Sequence, residues 1–360
     1  MSRLLPRALT IAAILAERSA SFANPAPRSV AVYESRTIAV VIPCFNEQDN
    51  IVNVLTKIPD FVDAVVIVDD ASTDDTARIV DQQIAREGDS CRTVLLRREQ
   101  NGGPGAAVIT GLTECLRRDY DITAVMDGDG QMNAQELPWL IGPVAQGQAD
   151  YAKGNRLFYR GAWQRIPHSR YLGNAFLSML TKIASGYWHV ADSQSGYLAI
   201  SREVLETIDL QKIDTGYGYT NDLLVHLNVY DFRVADVHVR PIYWPQRQSK
   251  MKAWIVFPRL NWMVFKRFWW RMWRKYVIHD FHPLVLFYFA ATLSGLAATG
   301  LFVRLVWLWI ATGSIPRVNA LVWVLCTLSA IQLGLFAMWC DMEANRDLKC
   351  VPRRRLGRSR

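Results

Sequence analysis

Asp127 and Asp129 stand one residue apart at the end of the apolar run Ile122–Met126, in the string ITAVMDGDGQ, and they are the side chains best placed to do chemistry. Strands of an open α/β sheet deliver ligand-binding groups at their carboxyl ends. Two carboxylates there could seat Mg2+ or Mn2+, hard cations that prefer oxygen and carry diphosphates. Gly128 and Gly130 leave room for a ligand beside them. Asp and Gly are also ordinary turn residues, so the pair alone is equally compatible with a turn.

The elements that would position this pair alternate strand and helix. Thr37–Ile42 reads as a strand ending at Pro43, Glu47–Ile58 has helical spacing, and Ala64–Val68 is an apolar run ending at Asp69 and Asp70. Cys91–Leu96 and Ile122–Met126 read as further strands, Gly105–Arg117 and Ala134–Val144 as helices. Such βα alternation predicts an α/β, mainly parallel, Rossmann-like sheet. Right-handed crossovers then bring PCFNE (43–47), VDDASTDDT (68–76), NGGPGAA (101–107) and DGDGQ (127–131) to one rim. Asp70 could accept hydrogen bonds from a nucleoside, and Ser72–Thr76 is rich in capping residues. The glycines of the third loop allow backbone approach, and the helix after it would offer amide donors to an anion. This loop lacks G-K-[ST] and is not G-x-G-x-x-G. Four such loops on one rim predict a nucleotide site.

Composition divides the chain. Of 360 residues, 51% are hydrophobic, and the excess lies in 283–340, preceded by a basic and aromatic stretch at 251–279. A water-soluble body with a membrane-seeking tail follows. The formal charge of +8 is concentrated beside the apolar tail and at the C-terminus, which favours anionic lipid over nucleic acid. Six cysteines without a C-x-x-C pair suggest neither a disulfide framework nor a zinc site. The first residues resemble a secretory signal, but Glu17 and Arg18 break that pattern, and 1–36 is expected to be an N-terminal extension.

The ordered motifs IPCFNE, VDDASTDDT, NGGPGAA and MDGDGQ resemble those of the family-2 glycosyltransferases with the GT-A fold, and among them the dolichyl-phosphate mannose synthase-like group. KGNR (153–156), HSRYLGN (168–174), DSQSGYLAIS (192–201), GYGYTNDLL with Asp222, and QSKM (248–251) agree, so the resemblance covers about 38–252. It implies a nucleotide sugar as donor and a polyprenyl phosphate as acceptor. By the same resemblance Pro43, Phe45, Glu47, Val68, Asp70 and Arg98, with Asp127, Gly128 and Asp129, would hold the nucleotide sugar. Asp127, Asp129 and Gln131 would hold the metal, and Arg156, Arg170, Asn174, Arg247 and Lys250 would meet the lipid phosphate. The family commonly places an arginine several residues ahead of the S-K pair. Here Trp244–Gln246 occupy that stretch and Arg247 lies closer to Lys250. Phe45 stands where tyrosine is usual.

A phosphate monoester is already anionic, so it needs no general base of the kind a hydroxyl acceptor requires. The protein must neutralise the leaving diphosphate and hold the incoming anion with cations, for which arginine offers bidentate geometry. Direct displacement predicts inversion at the anomeric carbon. Asp192 is a candidate for a direct catalytic role, with Arg156, Asp127 and Asp129; either Asp192 or Asp222 could instead hold a neighbouring arginine. No Q-x-x-R-W motif of processive synthases is present, which favours transfer of one hexose. Alternatives are transfer to a lipid hydroxyl, and a catalytically silent scaffold that binds a nucleotide sugar.

The stretch 254–278 interleaves Trp and Phe with Arg and Lys, as suits helices lying at the headgroups (253–282). Pro283–Ile310 and Val318–Cys340 are apolar for long enough to span, since roughly 20 helical residues cross the hydrocarbon core. Arg304 would snorkel to the far interface. Basic residues crowd Lys266–Lys275 and Arg353–Arg360, whereas the connection holds only Arg317. That asymmetry predicts two spans (283–340), a basic tail (341–360) and both termini cytoplasmic beside the catalytic domain (37–252). A second copy of the chain is a further partner to consider.

Overall fold

The computed structural model describes residues 36–88, 92–157, 168–240, 242 and 253–350. The N-terminal extension and the basic residues 351–360 lie outside them. Eight strands form one sheet: β1 Ile38–Cys44, β2 Ala64–Asp69, β3 Thr93–Arg97, β4 Ile122–Val125, β5 Tyr151–Asn155, β6 Leu198–Ser201, β7 Val234–His238 and β8 Lys349–Cys350. Their order is β3-β2-β1-β4-β6-β5-β7-β8. All pairings are parallel except those of β6 with β4 and β5. The expected mixed, mainly parallel α/β sheet is therefore present.

In the central strands β1, β2 and β4 apolar residues on both sides of the chain explain why both sheet faces are covered. In β1, Ile38, Val40 and Ile42 face one core layer with Val54, Leu137 and Ile141, whereas Ala39 and Val41 face the other with Val108, Leu112 and Leu224. That division follows the two-residue period of a strand. Helices α1 Ile51–Leu55, α2 Thr76–Glu87, α3 Pro104–Arg117, α4 Leu137–Ala145, α5 His168–Ser185, α6 Arg202–Thr207 and α7 Tyr219–Val229 complete the body. The first helix is shorter than the spacing over Glu47–Ile58 predicts, because 47–50 turn to meet the β2 loop and a turn follows Leu55.

Beyond the body, α8 Ala253–Trp273 runs into a π-helical turn, Arg274–His279, and then into α9 Leu284–Thr312 and α10 Arg317–Ala344. Both last helices are long and apolar enough to cross a membrane, with only 17% and 6% of their most apolar stretches buried. A soluble core helix would be mostly buried, so the exposure of Leu293, Leu296, Trp307, Leu321 and Leu325 needs an apolar surrounding. Arg304 is exposed eight residues before the end of α9, which suits snorkelling to that end. Helix α10 runs four residues past 340, and Lys349 and Cys350 then pair with Val234 and Ala235 at the sheet edge. The chain that leaves the body at α8 thus returns to it after the hairpin.

The hairpin is fixed to the body by buried polar groups. Arg271 of α8 makes a two-pronged pair with Asp341 of α10, both N···O distances 2.9 Å, and both side chains have 0% exposure. The guanidinium also donates to Asn228 Oδ1 and to the Ile183 carbonyl. Lys275 Nζ donates to the Asn228 carbonyl and Asn345 Oδ1, and Tyr276 donates to Asp341. Removing one partner of a buried ion pair leaves an uncompensated charge and costs about 3–5 kcal/mol, whereas replacing both by apolar groups is often neutral. Arg271→Met is expected to lower stability by about that much, and Arg271→Met with Asp341→Leu to recover most of it. Unfolding midpoints of the detergent-solubilised chain check this; equal midpoints for the single variant and the native chain would contradict it.

Candidate active site

The carboxyl ends of β1, β2 and β4 gather an unusual density of negative charge. Gly128 N donates to the Pro43 carbonyl at 3.3 Å, and a Cβ on Gly128 would lie 2.6 Å from Cys44 Sγ, so the acidic loop packs directly on the end of β1. Gln131 N donates to Asp129 Oδ1 at 2.9 Å and orients that carboxylate. Burial pushes the Cys44 thiol well up, and Glu47, Asp69, Asp127 and Asp129 all add to the rise. Four acids therefore act on Cys44. Asp127 is itself raised, to about 7, first by burial and then by Asp129, with Arg156 pulling against them and Glu47 adding a smaller push. Asp69 Oδ1 is buried without a hydrogen-bond partner among the described residues. Such uncompensated charge is what a divalent cation neutralises. Among the described residues no three His, Cys, Asp or Glu side chains converge as a complete ligand set. The donor set thus fits an ion that takes its remaining oxygens from a bound diphosphate and water, as Mg2+ commonly does.

The first two loops are stitched together. Asn46 N donates to Ser72 Oγ, Thr73 N to Asn46 Oδ1, and Glu47 N to Thr76 Oγ1, at 2.8–2.9 Å. Asn46 and Ala71 take φ of 55° and 57°, a conformation that costs an L-residue energy and tends to collect at functional sites. Phe45 is 36% exposed at the rim and Glu47 is buried. Val68 is fully buried, its side chain packed in the core near Gly111, so any contact it makes with a donor falls to its backbone.

Asp70 is already engaged: Oδ1 accepts from Arg98 Nη1 at 2.7 Å and from Gly102 N, and Oδ2 from Gly103 N. It shapes the glycine loop. The amides at the start of α3 are likewise engaged, Ala106 N with the Thr215 carbonyl and Ala107 N with the Gly103 carbonyl. The expectation that this helix end offers those amides to an anion is corrected: the 214–218 loop covers it.

Arg156 and Asp192 form a two-pronged pair, Nε to Oδ2 2.7 Å and Nη2 to Oδ1 3.2 Å, with Asp192 only 1% exposed. A carboxylate so enclosed holds its arginine, which is the alternative that the sequence leaves open for Asp192 beside a direct catalytic role. Asp222, at 0% exposure, pairs with Arg267. Arg170 and Asn174 fall in the first two turns of α5. Arg247 and Lys250 lie outside the described residues.

Gly196, Tyr219 and Lys153 lie in motif segments that the sequence offers without assigning these residues a role, and the structure brings them to the site. Gly196 lies against Asp127: a Cβ there would be 3.3 and 3.4 Å from its two carboxylate oxygens and 2.8 Å from Tyr219 Oη. Lys153 is fully buried and donates to the Ser195 carbonyl at 2.8 Å, anchoring the loop that carries both Asp192 and Gly196. The signals were the lysine inside an otherwise apolar strand and the glycine in DSQSGY. Only tertiary contact gives them a role.

Gly196→Ala is expected to cut turnover at least about tenfold, the scale of about 1.4 kcal/mol, because its methyl crowds Asp127 and Tyr219; steady-state kinetics beside an unfolding curve check it. Lys153 has a pH signature. Burial lowers it to about 7 against the pull of Asp192, with Arg156 adding to the fall and Asp236 resisting. An unfolded lysine keeps its proton to about pH 10.4. Between those values unfolding takes up a proton, so stability contributed at this position rises as pH rises. Denaturant midpoints of the native chain should climb more steeply from about pH 7 to 9.5 than those of Lys153→Met; parallel profiles would contradict this.

Residues 39–209 match the sequence profile described as Glycosyl transferase family 2. The chain is 32% identical over 218 residues to the polyprenol monophosphomannose synthase of Mycolicibacterium smegmatis, covering 59% of this chain and 80% of that one. It is 28% identical over 218 residues to the UDP-N-acetylglucosamine--dolichyl-phosphate N-acetylglucosaminyltransferase of Methanococcus voltae, covering 58% and 86%. In fold it is similar to the glucosyl-3-phosphoglycerate synthase of Mycobacterium tuberculosis crystallised with Mn2+, UDP and glucosyl-3-phosphoglycerate, at 23% identity and a TM-score of 0.51, covering 69% of this chain and 85% of that one. With the ordered loops, the acidic rim and a relative above 30% identity aligned over most of its length, the chain belongs to glycosyltransferase family 2.

Proposed function

We propose that this enzyme transfers one hexose from a nucleotide sugar to a polyprenyl phosphate at the cytoplasmic face of a membrane, with inversion at the anomeric carbon. The observation that carries this is the acidic rim at Asp127 and Asp129 joined, within one chain, to a hairpin whose exposed apolar surface demands lipid. The relatives named for polyprenol and dolichyl-phosphate acceptors support the same class of substrate. A catalytic unit of 37–252, interfacial helices over 253–282 and spans within 283–340 complete the arrangement.

In this proposal Asp127 and Asp129 would hold a divalent cation, with Gln131 beside them, and the cation supplies charge neutralisation for the departing diphosphate. The loops at Pro43–Glu47 and Val68–Asp70 bind the nucleoside, while Asp70 and Arg98 keep the glycine loop closed on it. Arg156, held rigid by Asp192, meets phosphate oxygens, and Arg170, Asn174, Arg247 and Lys250 attract the acceptor. An acceptor phosphate oxygen forms the new bond to the anomeric carbon as the bond to the nucleoside diphosphate breaks, and that leaving group departs with the electron pair. No proton needs to be removed, because the acceptor's second pKa lies near 6. Enclosure of Asp192 fits this, since no carboxylate has to serve as base.

Placement follows the return of the chain after α10: both ends of the hairpin meet the body, so body and lipid phosphate share one side. Lys266 and Arg259 remain exposed on α8 beside Trp262 and Phe265, a composition for the headgroup layer. The donor is a GDP-mannose or UDP-glucose type of nucleotide sugar.

The purified chain in detergent, given radiolabelled GDP-mannose, UDP-glucose or UDP-N-acetylglucosamine with Mn2+ and undecaprenyl phosphate, is expected to form an organic-soluble, mild-acid-labile product. EDTA and Asp129→Ala should each abolish it. Transfer to a lipid hydroxyl but not to the phosphate, or full activity in Asp129→Ala, would overturn the proposal.

A further inference from the structure

The cations of α8 are not all turned to the membrane. Arg267 and Arg271 lie four residues apart and share one face of the helix, and Lys275 follows in the π-helical turn; all three bond to buried partners of the body. Arg271 and Lys275 grip the hairpin and α7, as described above. Arg267 meets the first turn of α7 rather than its last, on the side of the donor loops. Its Nε lies 2.7 Å from Asp222 Oδ1, and its Nη2 donates to Asp222 Oδ2 at 2.9 Å and to the Lys212 carbonyl at 2.6 Å.

From Asp222 the contacts continue without a gap toward the donor loops. Asp222 Oδ2 accepts from Asp214 N at 2.8 Å. Asp214 Oδ2 in turn accepts from Gly216 N and Gly218 N, which closes 214–218 into a compact loop. That loop sits on the glycine loop: Ala106 N donates to the Thr215 carbonyl, and a Cβ on Gly105 would lie 2.5 Å from the Asp214 carbonyl oxygen. Gly102 and Gly103 then donate to Asp70. On its other side the 214–218 loop touches α8 directly, because a Cβ on Gly218 would meet Met263 Cε at 2.6 Å.

We infer that Arg267 is a positioning residue for the donor: by holding Asp222 it fixes the 214–218 loop, which holds the glycine loop in its nucleotide-binding shape. The interfacial helix thereby couples its own seating to nucleotide affinity, and by linkage nucleotide binding favours that seating. This rests on the donor site proposed above and deepens it. Asp222 then serves neither as a base nor as a sugar ligand. Its 0% exposure and its guanidinium partner leave it a structural pivot. Exposed Trp262 and Phe265 lie five and two residues before Arg267 on the same helix, so whatever seats these rings also bears on the pair.

The test is isothermal titration of UDP and of GDP, each with Mn2+, into the full chain in detergent, with the folded fraction fixed by circular dichroism. Arg267→Met is expected to weaken the nucleotide that the native chain binds by roughly 5- to 150-fold, the range of ordinary coupling energies. Arg267→Lys, which keeps the charge against Asp222 and loses the second prong, should fall between the two. Asp222→Leu, which removes both the Arg267 pair and the acceptor of Asp214 N, should weaken the nucleotide at least as much as Arg267→Met. A purely structural role would lower the unfolding midpoint and leave affinity of the folded fraction unchanged. Unchanged affinity in folded Arg267→Met, or in Arg267→Lys where the first variant does not fold, overturns the inference and leaves the donor site standing. A native chain that binds neither nucleotide overturns the donor site and the inference together.

Discussion

Repulsion among carboxylates at the ends of three parallel strands is the constraint on which the rest of this structure depends. Burial first, and then the neighbouring carboxylate of Asp129, raise the pKa of Asp127. A fold tolerates such a cluster where a cation and its ligand complete it, and the surroundings here are built to keep it intact. Gly128 and Gly196 allow backbone to approach where a methyl would collide, and Lys153 ties down the loop bearing Gly196. Arg156 opposes the excess charge from the side, itself held by Asp192.

The second organising element is α8, which has two characters. It exposes Trp262, Phe265 and Lys266, and it turns Arg267 and Arg271 to buried partners, as the following π-helical turn does Lys275. Composition alone assigns every cation of this stretch to the headgroups. The structure divides them, because a guanidinium buried with a carboxylate and backbone carbonyls can join elements that hydrophobic contact alone would let slide. The apolar hairpin, α8 and the sheet are thus joined through polar contacts of defined geometry. The pairing of Lys349 and Cys350 with the sheet edge adds backbone hydrogen bonds to the same joint.

Much of the sheet was legible because its strands are runs of Val, Ile and Ala ending in Pro, Asp or Gly. The two spans were legible from length and apolarity. The helical hairpin's tie to the body was not, since Asp341 stands near the end of an apolar helix and its partner lies seventy positions away. In the site, the Asp127–Asp129 pair and the four loops were visible from spacing. The engagement of Asp70 with Arg98 and two amides, the enclosure of Asp192 and the contact of Gly196 with Asp127 depend on chain crossings that local pattern does not encode.

Electron paramagnetic resonance of Mn2+ titrated into the full chain tests most directly whether the acidic rim is a cation seat. The account predicts one tightly held Mn2+ per chain in the presence of a nucleoside diphosphate, weaker binding without it, and loss of that signal in Asp127→Asn. Equal Mn2+ binding by the native chain and Asp127→Asn, with the nucleotide present, would contradict it.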